Sequence, residues 1–228
     1  MATPDIAPAI DLLRTLVAFD TVSAKPNRAL IDWVADYLRR HGVEPLVLPD
    51  ADGGKANLYA TFGPDVAGGI VLSGHTDVVP PGDSGWDSDP FALAERDGRL
   101  YGRGTADMKG FVALALALVP ELAADPPPRP IHLALSYDEE VGCLGAPHMV
   151  RHIARHLPKP RLVVIGEPTS MKPASANKGL RAFRTEVTGR EGHSSDPRAG
   201  LNAIEAAAEI VGFIAGLAAE ARDKPDPD

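Results

Sequence analysis

The sequence predicts an α/β fold, an open sheet with helices. Short apolar runs of strand length alternate with helical patterns along most of the chain. His or Glu stands just past the ends of several such runs, at His75, Glu139-Glu140 and Glu167, and Asp107 opens an apolar helix pattern. Open α/β sheets bind ligands at the carboxyl edge of their strands, so one edge collects an imidazole and several carboxylates.

Ile10, Leu13, Leu16 and Val17 recur at helical spacing and predict a first helix over about 6–19. Asn27 is placed as the N-cap of a second helix, with Leu30, Val34, Tyr37 and Leu38 on one face and a stop at Gly42. Strands follow at 45–48 and 57–62 around the turn Asp52-Gly53-Gly54. The apolar run 69–74 is a buried strand that delivers His75. His75 and Asp77 stand two residues apart, so extended backbone points both to one side. There a carboxylate can accept the imidazole N–H and leave the other nitrogen free for a metal. By itself the stretch fits a hydrogen-bonded polar loop equally well.

Trp86, Pro90 and Phe91 form an aromatic anchor after a Pro/Gly loop. Asp97-Gly98, between 91–95 and 99–101, is the strongest hairpin signal in the chain. Residues 111–122 are apolar on every face, the pattern of a buried helix. A strand at 131–136, a helix over about 145–156 and a buried strand at 162–165 complete the alternating part. Beyond Met171 the pattern changes to a long half-wet strand at 179–188, a turn at 189–192 and a helix over 201–219. Residues 222–228 read as a frayed or linker end.

The 228 residues suffice for one full domain and part of a second, and 44% hydrophobic with 24% charged content is that of a globular protein. A net charge of −8 without a basic stripe argues against nucleic-acid binding. The apolar run 111–119 is too short to span a bilayer, and residues 1–6 lack signal-peptide features. Cys143, the single cysteine, rules out an internal disulfide framework. A soluble, cytoplasmic protein without membrane partners is expected.

Imidazole and carboxylates without thiolate suit zinc, cobalt or manganese. If Asp107 bridges two divalent ions, with His75 and Glu167 on one and Glu140 on the other, the ions retain surplus positive charge. That charge favours a hydroxide between them. Glu139, beside a ligand but not itself one, is then the general base. Taken singly, each of these acids fits a helix end, a loop or a solvated pair; together, at equivalent strand ends, they do not.

Ser-Gly-His-Thr-Asp-Val-Val-Pro (73–80), Gly-Arg-Gly-Thr-Ala-Asp-Met-Lys-Gly (102–110), Asp-Glu-Glu-Val-Gly (138–142), Gly-Glu-Pro-Thr (166–169) and Gly-His-Ser-Ser-Asp-Pro (192–197) resemble the dinuclear-zinc amidohydrolase family. That family comprises acetylornithine deacetylases, succinyl-diaminopimelate desuccinylases, aminoacylases and related carboxypeptidases. The resemblance implies a mixed twisted sheet with helices on both faces over 1–177, a zinc-exopeptidase-like catalytic domain. It implies that 178–228 begin an inserted α+β lid and dimerisation domain.

It further implies two Zn2+ (or Co2+) held by His75, Asp107, Glu140 and Glu167, with Asp77 behind His75 and Glu139 as base. His193 would reach the active site of a homodimer partner and stabilise the oxyanion. The family's last metal ligand is a His past the lid, without a counterpart before Asp228, so the second metal site is expected to bind more weakly. Runs 137–145, 166–171 and 192–205 are most similar to the deacetylase branch. They imply removal of the acetyl group from N2-acetyl-L-ornithine, a small N-acyl amino acid, in arginine biosynthesis. The desuccinylase reaction is the alternative within the family, and a metal-binding fragment without catalysis the alternative outside it.

Overall fold

The computed structural model describes residues 5–83, 85–179, 181–222 and 224. The chain divides into two compact units, residues 1–173 and 174–228.

The first unit carries α1 (Ala7–Ala18), α2 (Arg28–Arg40), β1 (Leu46–Pro49), β2 (Ala56–Phe62) and β3 (Ile70–His75). The hairpin β4 (Ala94–Arg96) and β5 (Arg99–Tyr101) follows, then α3 (Lys109–Ala117) and α4 (Val119–Ala124). Strand β6 (Ile131–Ser136), helix α5 (Ala146–His156) and strand β7 (Leu162–Ile165) complete it. The main sheet is mixed, in the order β1-β2-β6-β3-β7. Strand β2 runs antiparallel to β1 and β6, whereas β3 is parallel to both β6 and β7.

Alternation along the strands explains the layers. Leu58, Ala60 and Phe62 of β2 and Leu133 and Leu135 of β6 face one core, closed by Leu16 of α1, Ile31 and Val34 of α2 and Leu116 of α3. The intervening Tyr59 and Ala134 face the other side, where Met149 of α5 covers them. Helices on both faces thus match the expectation, and Asp97 and Gly98, with φ of 52° and 70°, make the tight turn read at that dipeptide.

Several expectations need correction. Asn27 does stand at the N-cap of α2, its carbonyl accepting the Ile31 N–H at 3.1 Å, but its side chain makes no capping bond. Its side chain is buried instead, bonded to the backbone N–H and C=O of Ala56 and to Thr76 Oγ1 at 2.9–3.0 Å. The apolar run after Phe111 is two helices, because Pro120 has no N–H to continue the first. Nor is it buried all round, since Leu114 and Leu118 are exposed. Strand β7, read as buried, lies at the sheet edge beside β3 among the described residues and exposes all four of its apolar residues.

The second unit holds a 3-10 turn, Pro197–Ala199, and the long helix α6 (Ala203–Arg222). The strand expected over 179–188 is absent among the described residues, and Leu180 lies outside them. A strand needs a partner ladder, and what forms nearby is an antiparallel bridge between Arg190 and Leu201. Of the frayed end read over 222–228, Asp223 and 225–228 also lie outside the described residues. Among the described residues no helix is long and apolar enough to cross a membrane.

Candidate metal centre

Parallel pairing of β6, β3 and β7 brings three strand ends to one edge. His75 is the last residue of β3, in register with Ser136, the last of β6. Just beyond it, Thr76 donates both its N–H and its hydroxyl to the Ser136 carbonyl, at 2.9 Å each. On the other flank, Ser73 pairs with Ile165 and accepts the N–H of Gly166 at 3.2 Å. The segments carrying Glu139-Glu140 and Glu167 therefore leave the sheet beside His75. Asp107 arrives from the start of α3, which packs on β3 at Gly74. A Cβ there would lie 3.1 Å from Met108 Cε and 3.2 Å from Val112 Cγ2, so glycine permits the approach.

The result is a buried imidazole, 1% exposed, facing a ring of carboxylates. His75 Nε2 lies 3.0 Å from Asp107 Oδ1, 3.7 Å from Glu167 Oε1 and 3.9 Å from Glu139 Oε2. Ligand atoms of His75, Asp107 and Glu140 lie within 4.8 Å of one another, as do those of His75, Glu139 and Glu167. On the far side of the ring, Nδ1 is 2.9 Å from the Asp77 carbonyl and 3.6 Å from Asp77 Oδ1. The shorter contact is to the main chain, not to the carboxylate that the sequence spacing suggested. Asp77 is left to accept the Ser23 hydroxyl at 2.8 Å and the N–H groups of Glu139 and Glu140 at 3.1 and 3.3 Å.

The segment after β6 is a compact turn. Asp138 has a left-handed φ of 57°, and the N–H groups of Gly142 and Cys143 return to the Glu139 carbonyl at 3.0 Å. Lys55 Nζ holds both carboxylate oxygens of Asp138, at 2.6 and 2.7 Å, and the Ser23 carbonyl at 2.6 Å.

Charge is unbalanced within the ring. Burial alone would lower the pKa of His75, yet the Asp77 side chain and carbonyl, with Glu167, lift it to about 9. Burial also raises Glu140 and Glu167 above the usual carboxylate range, and the neighbouring Asp107 and Glu139 push both further up. Asp77, by contrast, is lowered: its hydrogen bonds and His75 outweigh burial. Neighbouring carboxylates that raise Glu140 and Glu167 around a lone imidazole form a donor set short of positive charge. A divalent cation fits it, in donor type and in charge.

His193 lies in the second unit. It is exposed, with Nδ1 2.7 Å from Ser195 Oγ and accepting the Ser195 N–H at 3.2 Å. Three residues around the centre carry no reading in the sequence. Ser23 and Lys55 come from the N-terminal third, and Asp138 stands in a motif without a role of its own. Only Asp138, beside Glu139, offers a local signal.

Residues 71–224 match Peptidase family M20/M25/M40. The acetylornithine deacetylase of Pasteurella multocida is 40% identical over 222 residues, which are 94% of this chain and 57% of that protein. That of Photorhabdus laumondii is 39% identical over 219 residues, 93% of this chain and 56% of that one. The chain thus spans little more than half the length of the curated relatives it matches. The crystal structure of human carnosine dipeptidase 1 superposes with a TM-score of 0.60 at 27% identity, over 69% of this chain and 37% of that one. A metallo-carboxypeptidase of Sulfolobus solfataricus, 19% identical, shares the fold with a TM-score of 0.61 over 69% of this chain and 37% of its own. Over more than half of its length, and around the imidazole–carboxylate cluster itself, the chain belongs to Peptidase family M20/M25/M40.

Proposed function

We propose that the cluster is the active site of a zinc- or cobalt-dependent deacylase that converts N2-acetyl-L-ornithine and water into L-ornithine and acetate. The observation that carries the reading is the buried His75 with Asp107, Glu167 and Glu139 at 3.0, 3.7 and 3.9 Å from its free nitrogen. The relatives' own reaction supplies the substrate.

In this reading His75 and Glu167 would hold one cation and Glu140 the second, with Asp107 as a ligand common to both. When bound, the ions polarise the scissile carbonyl and lower the pKa of a water. Asp77 orients His75 through its carbonyl and fixes the turn of Glu139 and Glu140 through its carboxylate. Glu139 accepts a proton from the attacking water and passes it to the departing amine nitrogen as the amide C–N bond breaks. Water's oxygen stays with the acetyl carbon as acetic acid, whose remaining proton passes to the amine or to solvent, so that acetate and ornithine leave.

Residues 1–177 form the catalytic domain in this proposal, and 178–228 the start of a lid and dimerisation domain. His193 then stabilises the oxyanion in the active site of a homodimer partner. The enzyme works in the cytoplasm, in arginine biosynthesis. Acetate release from N2-acetyl-L-ornithine by the intact, zinc- or cobalt-loaded protein tests the reading. Much faster hydrolysis of N-succinyl-diaminopimelate overturns the substrate in favour of a desuccinylase.

A further inference from the structure

We propose that Lys55 and Asp138 are positioning residues that hold Glu139 and Glu140 in their working places. The inference rests on the functional reading above for the roles of the two glutamates.

Lys55 opens the path. From the residue before β2 it reaches the turn after β6, 83 residues on, and takes both oxygens of the Asp138 carboxylate at 2.6 and 2.7 Å. Its ammonium also donates to the Ser23 carbonyl at 2.6 Å. The Ser23 hydroxyl holds Asp77 Oδ2, and Asp77 accepts the N–H groups of Glu139 and Glu140. The contacts therefore close a ring, from Lys55 through Asp138 to the two glutamates and back through Asp77 and Ser23.

Two features show why the turn needs a clamp. Asp138 has φ of 57°, a conformation that L residues other than glycine adopt infrequently. Its carboxylate is also nearly buried, on the strand side of a cluster already crowded with negative charge. Lys55 neutralises that carboxylate and fixes its direction, and with it the direction of the next two residues. Without the ammonium, Asp138 has reason to turn toward water, and the glutamates turn with it.

The test uses the intact protein as wild type, Lys55→Met, Lys55→Arg and Lys55→Met/Asp138→Asn, each checked for folding by its urea transition. Lys55→Met keeps the apolar stem and removes the charge. Expected is a fall in kcat on N2-acetyl-L-ornithine of about 10–100-fold, the usual worth of a group that orients a metal ligand, with KM little changed. Cobalt affinity, titrated against a competing chelator, falls by about 10-fold. Lys55→Arg restores most of both, and the double variant is no worse than Lys55→Met, because the two residues act as one pair.

Wild-type kcat and cobalt affinity in Lys55→Met overturn the proposal, as does a variant whose only change is a lower urea midpoint. The cobalt arm separates it from the functional reading. If wild type hydrolyses no N-acyl amino acid but Lys55→Met still weakens cobalt binding, the reaction was misread and the positioning stands.

Discussion

Asp77 Oδ1 lies 3.1 Å from the backbone nitrogen of Glu139, a hydrogen bond that joins residues 62 apart in the chain. The same carboxylate backs the His75 ring at 3.6 Å. One buried acid thus sets the orientation of the imidazole and the course of the turn that carries the candidate base.

Replacing Asp77 by Ala is expected to weaken metal binding by about 10–100-fold. The Ser23 hydroxyl and the N–H groups of Glu139 and Glu140 lose their acceptor, while no metal-facing atom is removed. Titration of the intact protein with cobalt checks this. Unchanged affinity would show that the His75 contact with the Asp77 carbonyl is enough.

Asn27 gives a stability prediction. An ordinary N-cap lost to Ala costs about 1 kcal/mol. Asn27→Ala instead strands the Ala56 N–H and C=O beneath α2, each buried polar group left unpaired costing about 1–3 kcal/mol. Urea unfolding is expected to show a loss of about 3 kcal/mol or more. A loss near 1 kcal/mol would return Asn27 to a simple cap.

The centre was legible where its residue types follow a strand end or open a helix, as His75, Glu139, Glu140, Glu167 and Asp107 do. Parallel pairing then gathers them without further instruction. Of what supports them, only the place of Asp77 behind His75 was legible. Asp77 accepts backbone N–H groups, which every residue but proline has, so no side-chain pattern advertises the bond. Lys55 sits beside a Gly-rich turn and finds its partner 83 residues away. Asn27 looked like a cap because capping residues and residues that bind distant backbone share the same short amide. The single helix expected over 111–122 is a different matter, since Pro120 interrupts the N–H ladder without interrupting the apolar pattern.

His132 sets a pH dependence remote from the metal centre. The residue is 3% exposed and its ring stacked on Tyr59, with Nδ1 2.9 Å from the Thr61 hydroxyl and Nε2 without a hydrogen-bond partner among the described residues. Burial lowers its pKa, and the negative charge of Asp65 only partly opposes this. The unfolded chain takes up its proton near the ordinary value of about 6.5, above the folded pKa. Unfolding is therefore favoured by acid: the stability tied to neutral His132 is present above about pH 6.5 and is lost as pH falls below it. His132→Asn, which keeps a partner for Thr61, is expected to remove this component. The check is the difference in unfolding free energy between variant and wild type, followed from pH 8 to 5. A difference that does not change with pH would mean that His132 titrates alike in both states.

Glu139 and Glu140 are sequence neighbours whose N–H groups share Asp77 as acceptor, yet the proposal gives them different work. Glu139 Oε2 stands 3.9 Å from the free nitrogen of His75, while Glu140 groups with His75 and Asp107. Glu139→Gln keeps the size of the side chain and removes the proton acceptor. Turnover of N2-acetyl-L-ornithine is expected to fall by about two to four orders of magnitude, with metal content near normal. Glu140→Gln removes an anionic donor and is expected to lower metal occupancy first, with activity following as the site empties. Metal per chain and initial rate are measured on both variants of the intact protein after identical loading. If Glu139→Gln loses metal and Glu140→Gln keeps it, the two roles are exchanged. If both keep metal and rate, the pair is a solvated turn and the base lies elsewhere.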